Sequence, residues 1–198
     1  MNEQFDVKAY YGLWIKRLTP ILKILYPCTV YGKENIIDKP CIVCINHSNY
    51  IDPILVALAF GKEHPIHFMA KIELFKHKIL ATLLDRLGAF GVDRDGADIS
   101  AVRAVMKYVR AGEKVGIFPE GTRVSTDGAV VAKPGAVRIA AKLRVPVVPV
   151  FVSRRKWIFR KVKIVIGEPI VISANTEDFQ LATNELMEKI SEMGRTVG

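Results

Sequence analysis

The sequence has few cysteines, and their number and spacing exclude two classes of protein. Because Cys28, Cys41 and Cys44 make an odd count, they cannot form a complete disulfide framework. Cys41 and Cys44 have CxxC spacing, but the apolar residues around them predict a buried strand. Neither a second cysteine pair nor a histidine pair completes a zinc site. We therefore expect buried, reduced thiols, no metal ion and a reducing cytoplasm.

The sequence also lacks an apolar run long enough to cross a bilayer. Its best candidate is interrupted by Lys16, Arg17, Pro20 and Lys23, and no secretory pattern is present at the N-terminus. With 50% hydrophobic and 25% charged residues, the 198 residues predict one ordered domain. The formal charge of +9 favours a polyanionic partner, which could be nucleic acid, anionic lipid or an acidic protein.

Apolar residues recur at helical spacing in residues 6–26, with Lys16 and Lys23 on the opposite side of the helix. Pro20 is expected to kink or divide this helix. Two interpretations stay open: the helix packs on its own domain, or it lies in a membrane interface with its lysines at the headgroups. We assign residues 1–30 to an N-terminal, membrane-interfacial segment and residues 31–198 to the main domain.

From residue 41 onward, short apolar runs alternate with amphipathic segments, and no internal repeat interrupts them. This order predicts a single α/β domain with a mixed central sheet flanked by helices. The predicted strands are 41–45, 66–70, 89–92, 115–118, 147–152 and 162–166, and the predicted helices are 52–60, 77–87, 98–111, 135–143 and 176–193.

A histidine and an aspartate follow the first of these strands at an offset of five residues. His47 and Asp52 would not share a face of one continuous helix, so their meeting requires a tight turn between them. If they meet, the carboxylate accepts the proton of one imidazole nitrogen, and the other nitrogen can take a proton from an alcohol. The alternative is that Asp52 caps the helix starting at Pro53 while His47 is merely exposed.

A second polar rim is predicted at Phe118–Arg123, where a strand runs into Pro-Glu-Gly-Thr-Arg. Gly121 permits close backbone approach, and Arg123 can bind a phosphate as a charged fork. The alternative is an ordinary turn with a solvated pair between Glu120 and Arg123. Two further segments are Gly88–Arg94, which ends in an Asp–Arg pair, and the apolar Val145–Val150.

Together, the His-x4-Asp motif at residues 46–52 and the three later segments resemble the 1-acylglycerol-3-phosphate acyltransferase family, in family order and spacing. The resemblance covers residues 46–150. His-x4-Asp alone is weakly specific, but followed by FPEGTR in one small α/β chain it is strongly specific. Asn49 and Val124 stand where the family often has serine, and we expect these departures to affect substrate preference.

The resemblance implies transfer of a fatty acyl group from an acyl thioester to the sn-2 hydroxyl of 1-acylglycerol-3-phosphate, giving phosphatidate. His47 would be the general base, oriented by Asp52, with no covalent intermediate, cofactor or metal. Ser48 and Cys44 are weaker candidates as nucleophiles. The residues expected to bind the acceptor phosphate or to shape its site are Lys71, Arg94, Glu120, Gly121, Thr122 and Arg123.

A lysophospholipid substrate would place the protein at the cytoplasmic face of the membrane, as a peripheral or monotopic protein. The basic and aromatic residues 154–161 could contact anionic lipid, dock an acyl carrier protein, or form a solvated rim. Acyl carrier protein and coenzyme A both stay open as the donor. The alternatives are another lysophospholipid or glycerol-3-phosphate as acceptor, hydrolysis with water, and, more remotely, a nucleic-acid-binding module, for which no motif is present.

Overall fold

A computed structural model describes residues 7–92, 99–124, 126 and 130–197. Within these residues, seven strands form one sheet and six α-helices flank it. The strands are β1 (Cys28–Tyr31), β2 (Ile42–Ile45), β3 (Ile66–Lys71), β4 (Phe90–Val92), β5 (Lys114–Ile117), β6 (Val147–Val152) and β7 (Val162–Ile166). The helices are α1 (Val7–Leu25), α2 (Asp52–Phe60), α3 (Lys78–Arg86), α4 (Ile99–Arg110), α5 (Gly135–Leu143) and α6 (Phe179–Thr196).

The strand order is β1-β7-β6-β2-β5-β3-β4, and the β6–β7 pair is antiparallel whereas the other pairs are parallel. β2 lies between β5 and β6, with Cys44 opposite Ile117 on one side and Pro149 on the other. Because parallel strands end at the same edge, the loops that follow β2, β5 and β6 meet there. The predicted mixed α/β architecture is confirmed.

The core has two layers, one on each face of the sheet. One layer packs α1 and α2 against the sheet, and the other packs α4, α5 and α6 against the opposite face. Cys41 lies in the first layer and Cys44 in the second, because an offset of three residues places side chains on opposite faces of an extended chain. The CxxC spacing is therefore not a paired site, and all three cysteines are unpaired thiols.

Helix α1 packs on the domain and also exposes apolar side chains. Tyr11 is fully buried, and its hydroxyl donates to the Ala57 carbonyl at 3.4 Å. In contrast, Ile21 and Ile24 are 56% and 68% exposed. One face of α1 therefore packs on its own domain, and contact of the exposed face with a membrane stays a prediction. In the described part of the chain, no helix has the length and apolarity that a membrane span requires.

The structure differs from the sequence-based expectations at several places. Pro20 does not divide the helix, because α1 continues through this residue to Leu25, and a kink at Pro20 stays a prediction. Strand β1 was not predicted, since its four residues lie directly after Pro27 and show only partial alternation. Strand β7 forms over the predicted residues 162–166 as an interior strand with one half-buried face, and the two edge strands of the sheet are β1 and β4. The domain boundary at residue 30 stays a prediction.

Candidate active site

Strand β2 carries the His-x4-Asp segment to the carboxyl edge of the sheet. Asn46, directly after the strand, is 1% exposed and pairs with the backbone of Val152 on β6. Its amide nitrogen donates to the Val152 carbonyl at 2.9 Å, and its amide oxygen accepts from the Val152 N–H at 2.7 Å. These two hydrogen bonds take the place of a backbone pair between strands, so they fix the point at which the chain leaves β2 and begins its turn.

His47 and Asp52 meet across this turn. The His47 Nδ1 atom lies 3.0 Å from Asp52 Oδ2, which also accepts hydrogen bonds from the backbone N–H groups of Ser48 at 2.7 Å and Asn49 at 2.8 Å. The Asp52 carboxylate therefore turns back onto the loop and does not cap α2. The His47 ring stacks on Phe118, with 4.1 Å between the ring centroids, so two contacts fix its orientation.

The loop after β5 contributes a second carboxylate, that of Glu120, whose side chain is 4% exposed. Glu120 Oε2 accepts from the His47 backbone N–H at 2.5 Å, and Glu120 Oε1 accepts from Arg154 Nη2 at 2.7 Å. Arg154 also donates to the Val124 carbonyl at 3.0 Å, and the Val124 N–H donates to the His47 carbonyl at 2.8 Å. The solvated pair between Glu120 and Arg123 therefore does not form. Instead, Glu120 connects the loop after β5 with the loop after β2.

A buried cation completes this cluster. Lys156 Nζ lies 2.7 Å from Asp52 Oδ1, and neither side chain is exposed to solvent. The same ammonium donates to Ser48 Oγ at 2.7 Å and to the Ser153 carbonyl. Ser48 Oγ in turn donates to the Arg154 carbonyl at 2.9 Å, so this hydroxyl is engaged on both sides.

Burial and charge act in opposite directions on these groups. Burial alone would raise the pKa of Asp52, but hydrogen bonding to His47 and the Lys156 charge together hold it below its usual range. Burial lowers the pKa of Lys156, and the neighbouring Asp52 charge offsets only part of this effect. Burial also raises the pKa of the Cys44 thiol, which disfavours the thiolate that a nucleophile requires.

The residues predicted to surround the acceptor phosphate are less concentrated than the His–Asp cluster. Arg123 is exposed and lies over the Tyr50 ring, with 3.6 Å from its guanidinium carbon to the ring centroid. Gly121 has a left-handed φ of 66°, and Thr122 beside it is exposed.

Lys71 ends β3 at the same sheet edge, with its Nζ 3.3 Å from Glu73 Oε1. Arg94 lies outside the described residues.

The sequence pattern does not predict the contacts that Arg154, Lys156 and Tyr50 make at this site. The first two belong to the basic stretch 154–161, which was interpreted as a surface, but their side chains are 10% and 0% exposed. Only a residue-by-residue pairing of cations with the motif carboxylates could have signalled this. Tyr50 lies inside the His-x4-Asp segment and was passed over. No group of three or more His, Cys, Asp or Glu residues that could hold a metal is found among the described residues.

Comparison with known proteins finds relatives of this chain. A model of the acyltransferase family matches residues 27–153. The 1-acyl-sn-glycerol-3-phosphate acyltransferase of Bacillus subtilis is 34% identical, over 92% of this chain and 100% of that protein. A probable enzyme of the same name from Mycoplasma genitalium is 33% identical, but this chain spans only 43% of its length. The crystal structure of the 1-acyl-sn-glycerophosphate acyltransferase PlsC from Thermotoga maritima has the same fold, with a TM-score of 0.67 at 22% identity over 94% of this chain and 76% of that one.

Proposed function

The chain belongs to the acyltransferase family, and from this membership we propose that it transfers a fatty acyl group to the sn-2 hydroxyl of 1-acylglycerol-3-phosphate, giving phosphatidate. The donor is an acyl thioester of acyl carrier protein or coenzyme A. The observation that carries this proposal is the 3.0 Å contact between His47 Nδ1 and Asp52 Oδ2. The names of the relatives support the acceptor, and the geometry supports the route by which its hydroxyl is activated.

In the proposed mechanism, Asp52 holds the proton on Nδ1 and so leaves Nε2 of His47 as the base. The acceptor oxygen attacks the thioester carbonyl as Nε2 takes its proton, a C–O bond forms, and the C–S bond breaks. The imidazolium then returns its proton to the leaving thiolate. A positioned base of this kind contributes about 10²–10⁴-fold to the rate. The engaged Ser48 hydroxyl and the buried Cys44 support direct transfer without a covalent intermediate.

Arg123 is proposed as the main cation for the acceptor phosphate, since its guanidinium is exposed while Arg154 is engaged by Glu120. The Tyr50 ring beneath Arg123 restrains the guanidinium without occupying its N–H donors. Lys71 lies at the same edge of the sheet and is a second candidate. Gly121 and Thr122 would shape the site, and a role for Arg94 also stays a proposal.

We propose that the protein acts at a membrane surface, on the cytoplasmic side. The exposed turn, residues 157–159, presents Trp157, Ile158 and Phe159, whose exposures are 68%, 54% and 69%. The Phe159 N–H donates to the Leu25 carbonyl at 2.6 Å, so the exposed turn lies beside the end of α1, near the exposed Ile21 and Ile24. This combined surface supports contact with lipid, and the exposed Arg155, Arg160 and Lys161 beside it suit anionic headgroups.

The proposed activity is tested with purified protein on anionic vesicles. Labelled acyl thioesters of both carriers are offered with lysophosphatidate, glycerol-3-phosphate or lysophosphatidylcholine, and esters and free fatty acid are separated. Phosphatidate formation supports the proposal, and the preferred carrier identifies the donor. Transfer to another acceptor alone would replace the proposed substrate, release of free fatty acid alone would indicate hydrolysis, and the absence of every product from folded, vesicle-bound protein would refute the activity.

The Arg123→Ala variant is expected to raise the KM for lysophosphatidate by about 10- to 100-fold, because a charged hydrogen bond to phosphate contributes roughly 1.5–3 kcal/mol. The measurement is initial rate against lysophosphatidate concentration in vesicles. Arg138→Ala is the matched control, since Arg138 also lies over an aromatic ring, Phe179, but on α5. An unchanged KM in Arg123→Ala would move the phosphate site to Lys71.

Serine at both Trp157 and Phe159 is expected to weaken binding to anionic vesicles by about tenfold or more, because each exposed ring contributes apolar area that lipid would cover. Vesicle co-sedimentation measures this binding. Leu181→Ser is the control, since Leu181 is 54% exposed on α6, a helix of the opposite layer. Equal binding by the double variant and the wild type would exclude the exposed turn as a lipid contact.

A further inference from the structure

The fully buried Lys156 has no explanation in the reaction described above. Its Nζ lies 2.7 Å from Asp52 Oδ1 and 2.7 Å from Ser48 Oγ, and it also donates to the Ser153 carbonyl. The ammonium group therefore has one ion-pair partner and two hydrogen-bond acceptors around it. A buried cation is costly unless it is paired, so the position of Lys156 needs a function that offsets this cost.

The two carboxylate oxygens of Asp52 have different partners. Oδ2 is held by the His47 ring and by the backbone N–H groups of Ser48 and Asn49, whereas Oδ1 has Lys156 as its ion-pair partner. Lys156 therefore restrains Oδ1, the carboxylate oxygen that the other three contacts do not hold. With both oxygens held, the carboxylate cannot rotate away from the imidazole.

Other charged groups surround this pair, and they are themselves paired or neutral. Glu120 is paired with Arg154 at 2.7 Å, so together they add little net charge. The thiol of Cys28 on β1 faces Lys156, and burial raises the pKa of this thiol, which keeps it neutral. Lys156 is thus the cation that balances Asp52 directly, and its removal would leave that carboxylate as an uncompensated charge beside His47.

We propose that Lys156 is a positioning residue of the acyl transfer reaction, which fixes the Asp52 carboxylate and balances its charge so that Asp52 holds the His47 imidazole in place as the base. This inference rests on the proposed function. Lys156 does not contact the substrate, because its side chain is fully buried. It acts through Asp52, in the same way that Asp52 acts through His47.

The charge balance has a direct consequence for the pH dependence of the reaction. Without Lys156, Oδ1 would be buried without a counter-ion, and Asp52 would take up a proton at higher pH than in the wild type. A protonated Asp52 no longer orients the His47 imidazole as a base, so its earlier protonation moves the acid limb of the profile toward higher pH.

The test compares wild type, Lys156→Met, Lys156→Arg and Lys189→Met in the vesicle assay across pH. Lys156→Met is expected to lower kcat by up to about 10²-fold with little change in KM for lysophosphatidate, since only the alignment of the base is lost. Its acid limb in kcat/KM is expected to move up by about one pH unit. Lys156→Arg, which keeps the charge, is expected to restore the wild-type profile. Lys189→Met removes a partly exposed cation on α6, a helix of the layer opposite α1, and should resemble wild type.

A merely structural role would give a different result. If Lys156 only ties residues 153–161 to the domain, Lys156→Met would lose active protein while the acid limb of the remaining activity stayed in place, and this outcome would overturn the proposal. If Lys156→Met does not fold, Lys156→Gln replaces it, because glutamine can donate to Asp52 and Ser48 without a charge. The same upward movement of the acid limb is then expected, and its absence would be equally decisive.

The failure of this inference can be distinguished from failure of the proposed function. Wild type without any transfer activity refutes the function, and the pairing is then measured by unfolding. The increase in the unfolding equilibrium constant caused by Lys156→Met should be about tenfold larger in the wild-type background than in Asp52→Asn. Equal increases would show that the two charges are not coupled, which would overturn the inference whatever the substrate is.

Discussion

The His47→Ala variant is expected to lose about 10²–10⁴-fold in kcat for acyl transfer, because this variant has no group that can take the acceptor proton. The fold is expected to survive the change. Asp52 keeps its ion pair with Lys156 and its hydrogen bonds from two backbone N–H groups, and the backbone N–H of residue 47 still donates to Glu120. The loss is therefore in the chemical step, and it is measured as kcat on vesicles under saturating donor and acceptor.

His64→Ala is the matched control for this variant. His64 is partly exposed and lies 3.4 Å from an Asp38 carboxylate oxygen, so it also forms a histidine–aspartate pair, but one that precedes β3, at the amino end of that strand. We expect its turnover to equal that of wild type. Far-ultraviolet circular dichroism and vesicle binding confirm that both variants are folded and bound. Turnover by His47→Ala within about threefold of wild type would exclude the general-base mechanism, which requires at least about 10²-fold.

The sequence predicts most of the fold because its apolar runs are short, regular and separated by clear breaks. Helix α5 and strand β6 have the bounds that the pattern predicts, 135–143 and 147–152. The pattern fails where its signal is short. Strand β1 has four residues after a proline, and it forms because it pairs with β7, which lies more than 130 residues later in the chain. Such a pairing depends on tertiary context, which no local window contains.

The candidate site was predictable in its first residues and not in its supporting ones. The meeting of His47 and Asp52 follows from a strand, a turn and a helix within seven residues, and local sequence supplies all three. The partners of Asp52 and Glu120 lie on the segment after β6, which reaches the site because β6 pairs with β2. Composition assigned residues 154–161 to a single basic surface, whereas the structure buries the side chains of Arg154 and Lys156 and leaves the exposed turn outside.

Glutamine at Glu120 is expected to lower the free energy of unfolding by about 3–5 kcal/mol, because it removes the negative charge that lies 2.7 Å from Arg154 in a nearly solvent-free site. Glutamine has one carbonyl oxygen, so it cannot accept from both the His47 N–H and the Arg154 guanidinium in the geometry that Glu120 uses. The expected loss is measured by urea unfolding at neutral pH, with the midpoint and the slope fitted together.

Glu188→Gln separates the effect of burial from the effect of charge. Glu188 and Arg195 form an ion pair at 2.5 Å, with side chains 62% and 63% exposed, so the same chemical change is made in water. Exposed pairs contribute at most about 1 kcal/mol, and Glu188→Gln is expected to unfold near the wild-type midpoint. A loss of less than about 1 kcal/mol in Glu120→Gln as well would show that Arg154 finds another partner. The connection between the loops after β2 and β5 would then not depend on Glu120. With a large loss in Glu120→Gln alone, the carboxylate of the FPEGTR motif is established as the group that holds the backbone of His47 in place.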